Sequence, residues 1–300
     1  MTATIRTTGT RGARTAGRAT GEEVVTVRGL SKVYGERRAV DGIDLTVHRG
    51  EVFALLGPNG AGKSTTVEVL EGYRARTGGE VSVLGHDPGH PTGSWRARIG
   101  IVAQSTTDLS DLSVSEVVRH FATFYPRPRR PEEVIEQVGL TDDTRTRARA
   151  LSGGRRRRLD VALGIIGDPE LLFLDEPTTG FDPEARRQFW GLIQGLAAGG
   201  TTILLTTHYL DEVEVLADSV AVIAAGRIVA TGTPADLGDR ASAPATVRWT
   251  EGGVERAERT STPTALVTAI ATRFAGGEVT GLTVTRPTLE DTYLELMGEQ

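Results

Sequence analysis

Gly57-Pro58-Asn59-Gly60-Ala61-Gly62-Lys63-Ser64, followed by Thr65, is a run of residues suited to holding phosphate oxygens. Glycines let backbone amides converge on an anion without side-chain collision, and a helix starting behind them turns its positive end toward the same charge. Lys63 can reach terminal phosphates as a compact ammonium, and the Ser64 hydroxyl is placed to ligate Mg2+. The chain has only two lysines, Lys32 and Lys63, among 34 basic residues. A sequence that otherwise writes arginine nearly everywhere keeps lysine here, where a bulky planar guanidinium would not substitute for an ammonium.

Further on, Leu171-Leu172-Phe173-Leu174-Asp175-Glu176-Pro177 predicts a buried strand that ends in two acids. Strand alternation would send the two carboxylates to opposite faces, and so to different work. Asp175 would hold Mg2+ through a water. Glu176 would act as general base or orient a water, help typically worth ~10²–10⁴ in rate. A helix-capping turn is the other reading of such a pair, and the phosphate loop upstream weakens it.

These residues need a scaffold, and the hydrophobic pattern supplies one. Val24–Val27, Ile43–Val47, Val52–Leu56, Val81–Leu84 and Ile99–Val102 read as strands, with helical spacing through Val67, Val69 and Leu70. A mostly helical stretch from Ser113 to Gly167 is broken by a Pro/Arg loop, Pro126 to Pro131. Strands at Leu171–Leu174, Thr202–Leu205 and Val220–Ile223 then alternate with helices from Pro183 and across Leu210–Leu216. Such alternation predicts βαβ crossovers: an α/β fold with a mostly parallel sheet, beside that mostly helical stretch. A Pro/Gly/Asp cluster from Gly232 to Pro244 marks a boundary between residues 22–237 and a small α/β appendage over 240–300. In that appendage Leu289, Tyr293, Leu294 and Leu296 are spaced as the buried face of a short helix.

Composition narrows the classes. Charged residues are 24% and hydrophobic ones 38%, an ordinary globular balance. The formal net charge of −5 argues against a bulk nucleic-acid binder, and the absence of cysteine excludes disulfides, thiol catalysis and Cys-ligated metals. No apolar run approaches the ~18–20 residues needed to cross a bilayer. Residues 1–21 carry Arg6, Arg11, Arg14 and Arg18 without an apolar centre, which reads as a solvated disordered tail.

Leu151-Ser152-Gly153-Gly154-Arg155, set between the phosphate loop and the paired acids, is the most specific feature, and with it the chain resembles the ATP-binding cassette (ABC) family over roughly Val24 to Leu237. The family's signature is matched at four of five positions, with Arg155 where glutamine is usual. The resemblance implies a P-loop NTPase-type α/β fold with an antiparallel β subdomain and a helical subdomain over about residues 105–165. The resemblance implies that Ser152, Gly153 and Gly154 contact the γ-phosphate of ATP held by a second cassette, so that two copies enclose two nucleotides. It also implies that Tyr34 stacks on adenine, that Gln104 reaches Mg2+ and the attacking water, that Asp182 lies along the dimer interface, and that His208 contacts the γ-phosphate. Metal ligation falls to Ser64, Gln104 and Asp175. Arg155 to Arg158 set four positive charges near a helix start, where the macrodipole disfavours them. Either an anion or acidic neighbour compensates them, or they form a solvated basic turn.

The tail Arg286-Pro287-Thr288-Leu289-Glu290-Asp291-Thr292-Tyr293-Leu294 resembles ATPase subunits of bacterial exporters of the daunorubicin-resistance type, in which ATPase and permease are separate chains. The implied function is a Mg2+-dependent ATPase on the cytoplasmic side of the membrane, powering a separate permease that exports a drug, antibiotic or other hydrophobic molecule. A ribosome- or DNA-directed cassette ATPase and a small-molecule kinase are the alternatives. The single cassette and negative charge weigh against the first, and Ser152 and His208 against the second.

Overall fold

The computed structural model describes residues 21–103, 111–239, 242–274 and 277–298. The expected tail therefore lies outside the described residues except for Gly21, as do Gln104 and the first residues of the expected helical subdomain.

Strands β1 (Glu23–Tyr34) and β2 (Arg37–His48) form an antiparallel pair. Both run further than the predicted Val24–Val27 and Ile43–Val47, because register shifts beyond Val27 break the two-residue period that marks a strand in sequence. Strand β3 (Val52–Leu56) is buried at every position, as a central parallel strand must be. It leads through the glycine loop into α1 (Lys63–Leu70). Strand β4 (Gly78–Val83) joins the far side of β1, giving a three-stranded antiparallel sheet in the order β2-β1-β4. A short α2 (Gly93–Arg96) then feeds β5 (Ile99–Val102).

The helical subdomain holds α3 (Val114–Ala122), α4 (Pro131–Gln137) and α5 (Gly153–Ile165). Ser113 opens α3 with a reciprocal capping box: its hydroxyl accepts from the Glu116 amide, while Glu116 accepts from the Ser113 amide at 2.8 Å. Val114, Val117, Val118, Val134, Ile135 and Leu159 close the small core among these helices.

The alternation predicted after Gly167 appears as β6 (Leu171–Asp175), α6 (Pro183–Ala198), β7 (Thr202–Thr207), α7 (Leu210–Leu216) and β8 (Ser219–Ala224). The six-stranded sheet has the order β5-β6-β7-β3-β8-β9, parallel except for β9 (Arg227–Gly232) at its edge. Strand β9 is absent from the sequence reading. Its residues are mostly half-exposed, and its hairpin turn is Ala225-Gly226, both at positive φ, without the Asn-Gly that would announce it. The sheet separates two cores. Val52, Ala54 and Leu56 of β3 face α3–α7, whereas Phe53 and Leu55 face α1 and the antiparallel sheet. The phosphate loop leaves β3 at the junction of both layers.

Beyond a turn at Leu237–Asp239, strands β10 (Ala245–Glu251) and β11 (Val254–Thr260), helix α8 (Pro263–Arg273) and strand β12 (Thr283–Thr285) enclose a separate small cluster of Val247, Trp249 and Ile270. Helix α9 (Leu289–Gly298) packs elsewhere, seating Leu289, Tyr293, Leu296 and Met297 on the main core beside Leu237. Leu294, predicted on that buried face, is 59% exposed. Positions 289, 293, 296 and 297 already fill one stripe of the helix, and residue 294 falls off it.

Candidate functional site

The loop after β3 is shaped by contacts that tolerate only glycine. A Cβ on Gly57 would lie 2.3 Å from the Ile223 carbonyl oxygen. One on Gly62 would lie 2.5 Å from the Ala39 carbonyl oxygen, and Gly62 itself sits at φ 110°. Gly62 is also the N-cap of α1 and offers no side chain to the first-turn amides, which leaves them for an external anion. Lys63 is only 4% exposed. Its ammonium donates to the carbonyls of Gly57 (2.8 Å) and Pro58 (3.2 Å) and lies 3.2 Å from Glu176 Oε1. Tyr34, Arg37, Ala39, Asn59, Gly60, Gly62, Lys63, Ser64, Thr65 and Glu176 line a cleft of about 420 Å3.

The two carboxylates do not part as strand alternation predicted. Strand β6 ends at Asp175, and Glu176 takes the left-handed conformation (φ 44°), which turns its side chain back over the loop. Asp175 Oδ1 lies 3.5 Å from the Ser64 hydroxyl, one residue from the lysine that meets Glu176. Thr206 ties both acids down: its hydroxyl donates to Asp175 and accepts from the Glu176 amide at 3.0 Å. The Ser64–Asp175 pair is an all-oxygen donor set, which fits Mg2+; that ion takes one or two protein oxygens and completes its shell from water and phosphate. No group of three His, Cys, Asp or Glu that could hold a metal occurs among the described residues.

The other predicted residues fall into three groups. His208 joins the cleft, with Nδ1 3.5 Å from Glu176 Oε1 and the ring 4.1 Å from that of Tyr209. Tyr34 stands at the rim, its ring facing Lys32 Nζ at 4.9 Å and Arg74 at 5.4 Å. Asp182 is occupied in the fold: it caps α6, accepting from the amides of Glu184 (3.0 Å) and Ala185 (2.8 Å). Phe181 beside it packs edge-on against the buried Phe189, ring centroids 5.6 Å apart. Ser152 and Gly153 are exposed, and the Ser152 hydroxyl makes no cap bond to its own helix. Within this chain the structure does not bring them into the cleft lined by the phosphate loop.

The four arginines behind Ser152 have partners. Arg155 pairs with Asp143 at 3.0 Å, Arg156 lies 3.9 Å from Asp160, and Arg158 donates to the Val138 carbonyl and to Gln188. Acidic neighbours thus stand beside Arg155 and Arg156, as the first of the two readings has it, whereas Arg158 meets a carbonyl and an amide and Arg155 stays largely exposed. Arg157 is different. It is 7% exposed, and its guanidinium donates to the backbone carbonyls of Ala103, Asp175 (2.9 Å) and Pro177 (3.1 Å). One side chain therefore joins the signature helix to the end of β5 and to both sides of the carboxylate pair. Burial pushes its pKa down from the usual value, opposed by nearby Asp160, Asp175 and Glu212. Sequence reading missed it inside the arginine run. The signal was present: Arg157 shares a helical face with the buried Val161 and Ile165. The same helix meets β5 through glycines, since a Cβ on Gly100 would lie 2.2 Å from the Gly164 carbonyl oxygen.

Two further acids behind the cleft were missed. Burial pushes the Glu71 carboxyl up to about 8, assisted by the charges of Asp175 and Glu68. Glu212 is fully buried, which also raises its pKa, and accepts from Thr178 at 3.0 Å and from the Trp190 indole at 3.4 Å.

Residues 40–179 match the family described as "ABC transporter". The chain is 39% identical over 306 residues to the daunorubicin resistance ATP-binding protein DrrA3 of Streptomyces coeruleorubidus, covering 93% of this chain and 97% of that protein. It is 43% identical over 220 residues to the Nod factor export ATP-binding protein I of Ralstonia nicotianae, covering 71% and 68%. Among solved structures, an ATP-binding subunit of an ABC transporter shares the fold with a TM-score of 0.67 at 24% identity, over 91% of this chain and 99% of that one. A dimeric bacterial ABC transporter cassette shares it with a TM-score of 0.63 at 21% identity, over 70% and 98%.

Proposed function

The chain belongs to the ABC transporter family as an ATP-binding, ATP-hydrolysing subunit, and from that premise we propose how its residues divide the work. No described helix is long and apolar enough to cross a membrane. In this reading the transport path belongs to a separate permease, as the resemblance to exporter ATPase subunits implies. Its cargo is a drug, an antibiotic or a similar hydrophobic molecule, and the ATPase works at the cytoplasmic face of the membrane. Support for that cargo comes from relatives named for daunorubicin resistance and Nod factor export.

The amides of Gly60 to Ser64 and the Lys63 ammonium grip the nucleotide phosphates, and Tyr34 offers its face to the base. Ser64 and Asp175, with Gln104, would hold Mg2+, which neutralises charge between the phosphate oxygens. Glu176 orients the attacking water or takes its proton, and His208, next to that carboxylate, contacts the γ-phosphate. Ser152, Gly153 and Gly154 serve a nucleotide held by a second copy. Asp182 shapes the dimer-facing turn through its cap on α6. Binding drives the permease only to the extent that the closed pair of cassettes holds ATP better than the open one; hydrolysis resets it.

The observation that carries this reading is the meeting of Lys63, Ser64, Asp175 and Glu176 in one cleft. Calorimetric titration tests it. ATP is expected to bind only when Mg2+ is supplied, and Lys63→Ala is expected to weaken that binding at least ~10²-fold, the loss of a buried charge-assisted contact. Undiminished affinity in that variant would overturn the assignment.

A further inference from the structure

We propose that strand β11 recognises itself. Two copies of this chain pair through it, antiparallel about a two-fold axis at Ala257, and join their three-stranded sheets into one of six strands.

Strand β11 is the edge of the sheet β11-β10-β12, and it is exposed from Val254 to Arg259. The hairpin joining it to β10 closes at Glu251 and Val254 around Gly252 and Gly253, with φ of 61° and 79°. In a two-residue hairpin the closing pair bonds inward, and the direction alternates from there. Val254, Arg256 and Glu258 therefore bond to β10. Glu255, Ala257 and Arg259 turn their amides and carbonyls outward, available to a new strand.

The side chains decide which strand. Charged residues on an edge usually prevent pairing. Here their order, Glu255-Arg256-Ala257-Glu258-Arg259, changes sign about its centre. With the axis at Ala257, Glu255 lies opposite the partner's Arg259, Arg256 lies opposite the partner's Glu258, and the two alanines meet without bulk. Centring the axis on Glu255, Arg256, Glu258 or Arg259 instead sets that residue against its own copy, like charge on like, which is destabilising. One register is thus selected. Glu255, already 3.7 Å from Arg248 in its own sheet, would sit between two guanidiniums.

This pairing goes beyond the nucleotide-dependent one and needs neither ATP nor Ser152. The chain contains no cysteine, so one introduced thiol is unique. Ala257→Cys should give a cross-linked dimer with a short bifunctional thiol reagent when no nucleotide is added. Glu255→Cys or Arg259→Cys alone should give little, because each thiol lies about 14 Å along the strand from its own copy. An equal mixture of those two variants should cross-link. In the Ala257→Cys background, Arg259→Glu should lower the yield roughly fivefold or more, since symmetry disturbs two pairs. Adding Glu255→Arg should restore it. Retained ATP hydrolysis in each variant shows that the cassette is folded, and persistence of the cross-link in Lys63→Ala separates this proposal from the nucleotide site. Equal yields from all three single thiols, or indifference to charge reversal, would overturn it.

Discussion

Two helix starts in this molecule carry nearly the same residue types and sit in opposite surroundings. At α1, glycines are wedged against the carbonyls of Ile223 and Ala39, and Lys63 is buried with three acceptors in reach. At α5, Ser152 and Gly153 are exposed, and a Cβ on Gly153 would meet nothing within 4 Å. The phosphate loop is completed inside the chain. The signature segment faces outward, yet its helix is fastened just behind by Arg157 and by the Gly100–Gly164 approach. Under the proposed function, a helix start that is firmly held yet exposed is what a partner's phosphate would require.

Breaking the inward half should cost most. Glu176→Gln keeps the size and position of the side chain next to Lys63 but removes its basicity. Turnover is expected to fall at least ~10²-fold while ATP binding survives, as measured by phosphate release beside calorimetry. The outward half should break differently. Ser152→Glu places a carboxylate where a phosphate would dock, so turnover should fall roughly tenfold or more by charge repulsion. ATP affinity of the single chain should stay within about twofold, because Ser152 lies outside that chain's cleft. Lys63→Ala, at the inward half, is the variant expected to lose affinity, so an equal loss in Ser152→Glu would erase the distinction between the halves.

Arg157 links them and should give an intermediate result. Lysine there keeps the charge but supplies one compact donor for three carbonyls held by one planar group. Arg157→Lys is expected to lower kcat about three- to tenfold with little change in KM, since the carboxylates lose their backbone support while the phosphate grip remains. A loss confined to thermal stability, with kcat intact, would make Arg157 structural only.

Much of this was legible in the sequence where a local pattern carries the constraint. A fully buried parallel strand leaves an unbroken apolar run, so Val52–Leu56 is legible to its observed ends; the edge strand Ile99–Val102 is legible too, although Ile101 is exposed. The phosphate loop and paired acids follow from residue type and order. What escaped depended on long-range geometry. The alternation rule sent Asp175 and Glu176 apart because it assumes a continuing strand; the left-handed turn at Glu176 reversed the second side chain. Arg157 reads as surface charge until a helix face is assigned to it. Leu294 fits a helical repeat on one spacing, but only packing against Leu237 and its neighbours decides which stripe turns inward.

Glu71 offers the smallest and most specific test of how closed the inward half is. Its carboxyl is raised from 4.5 to about 8, first by burial and then by the charge of Asp175. For an acid with a raised folded-state pKa, the folded chain binds the extra proton. The stabilising contribution is therefore complete below about pH 4.5 and is lost as pH rises through about 8. Glu71→Gln lacks this titration, so its melting temperature relative to the parent should rise by several °C between pH 5.5 and 8.5, each pH unit between the two pKa values being worth up to about 1.4 kcal/mol. Adding Asp175→Asn to both chains should shrink that pH-dependent difference, because the Asp175 charge that helps raise the Glu71 carboxyl is gone. A difference that stays flat across the range would mean that water reaches Glu71, and that the floor behind the phosphate loop is more open than the glycine contacts above it.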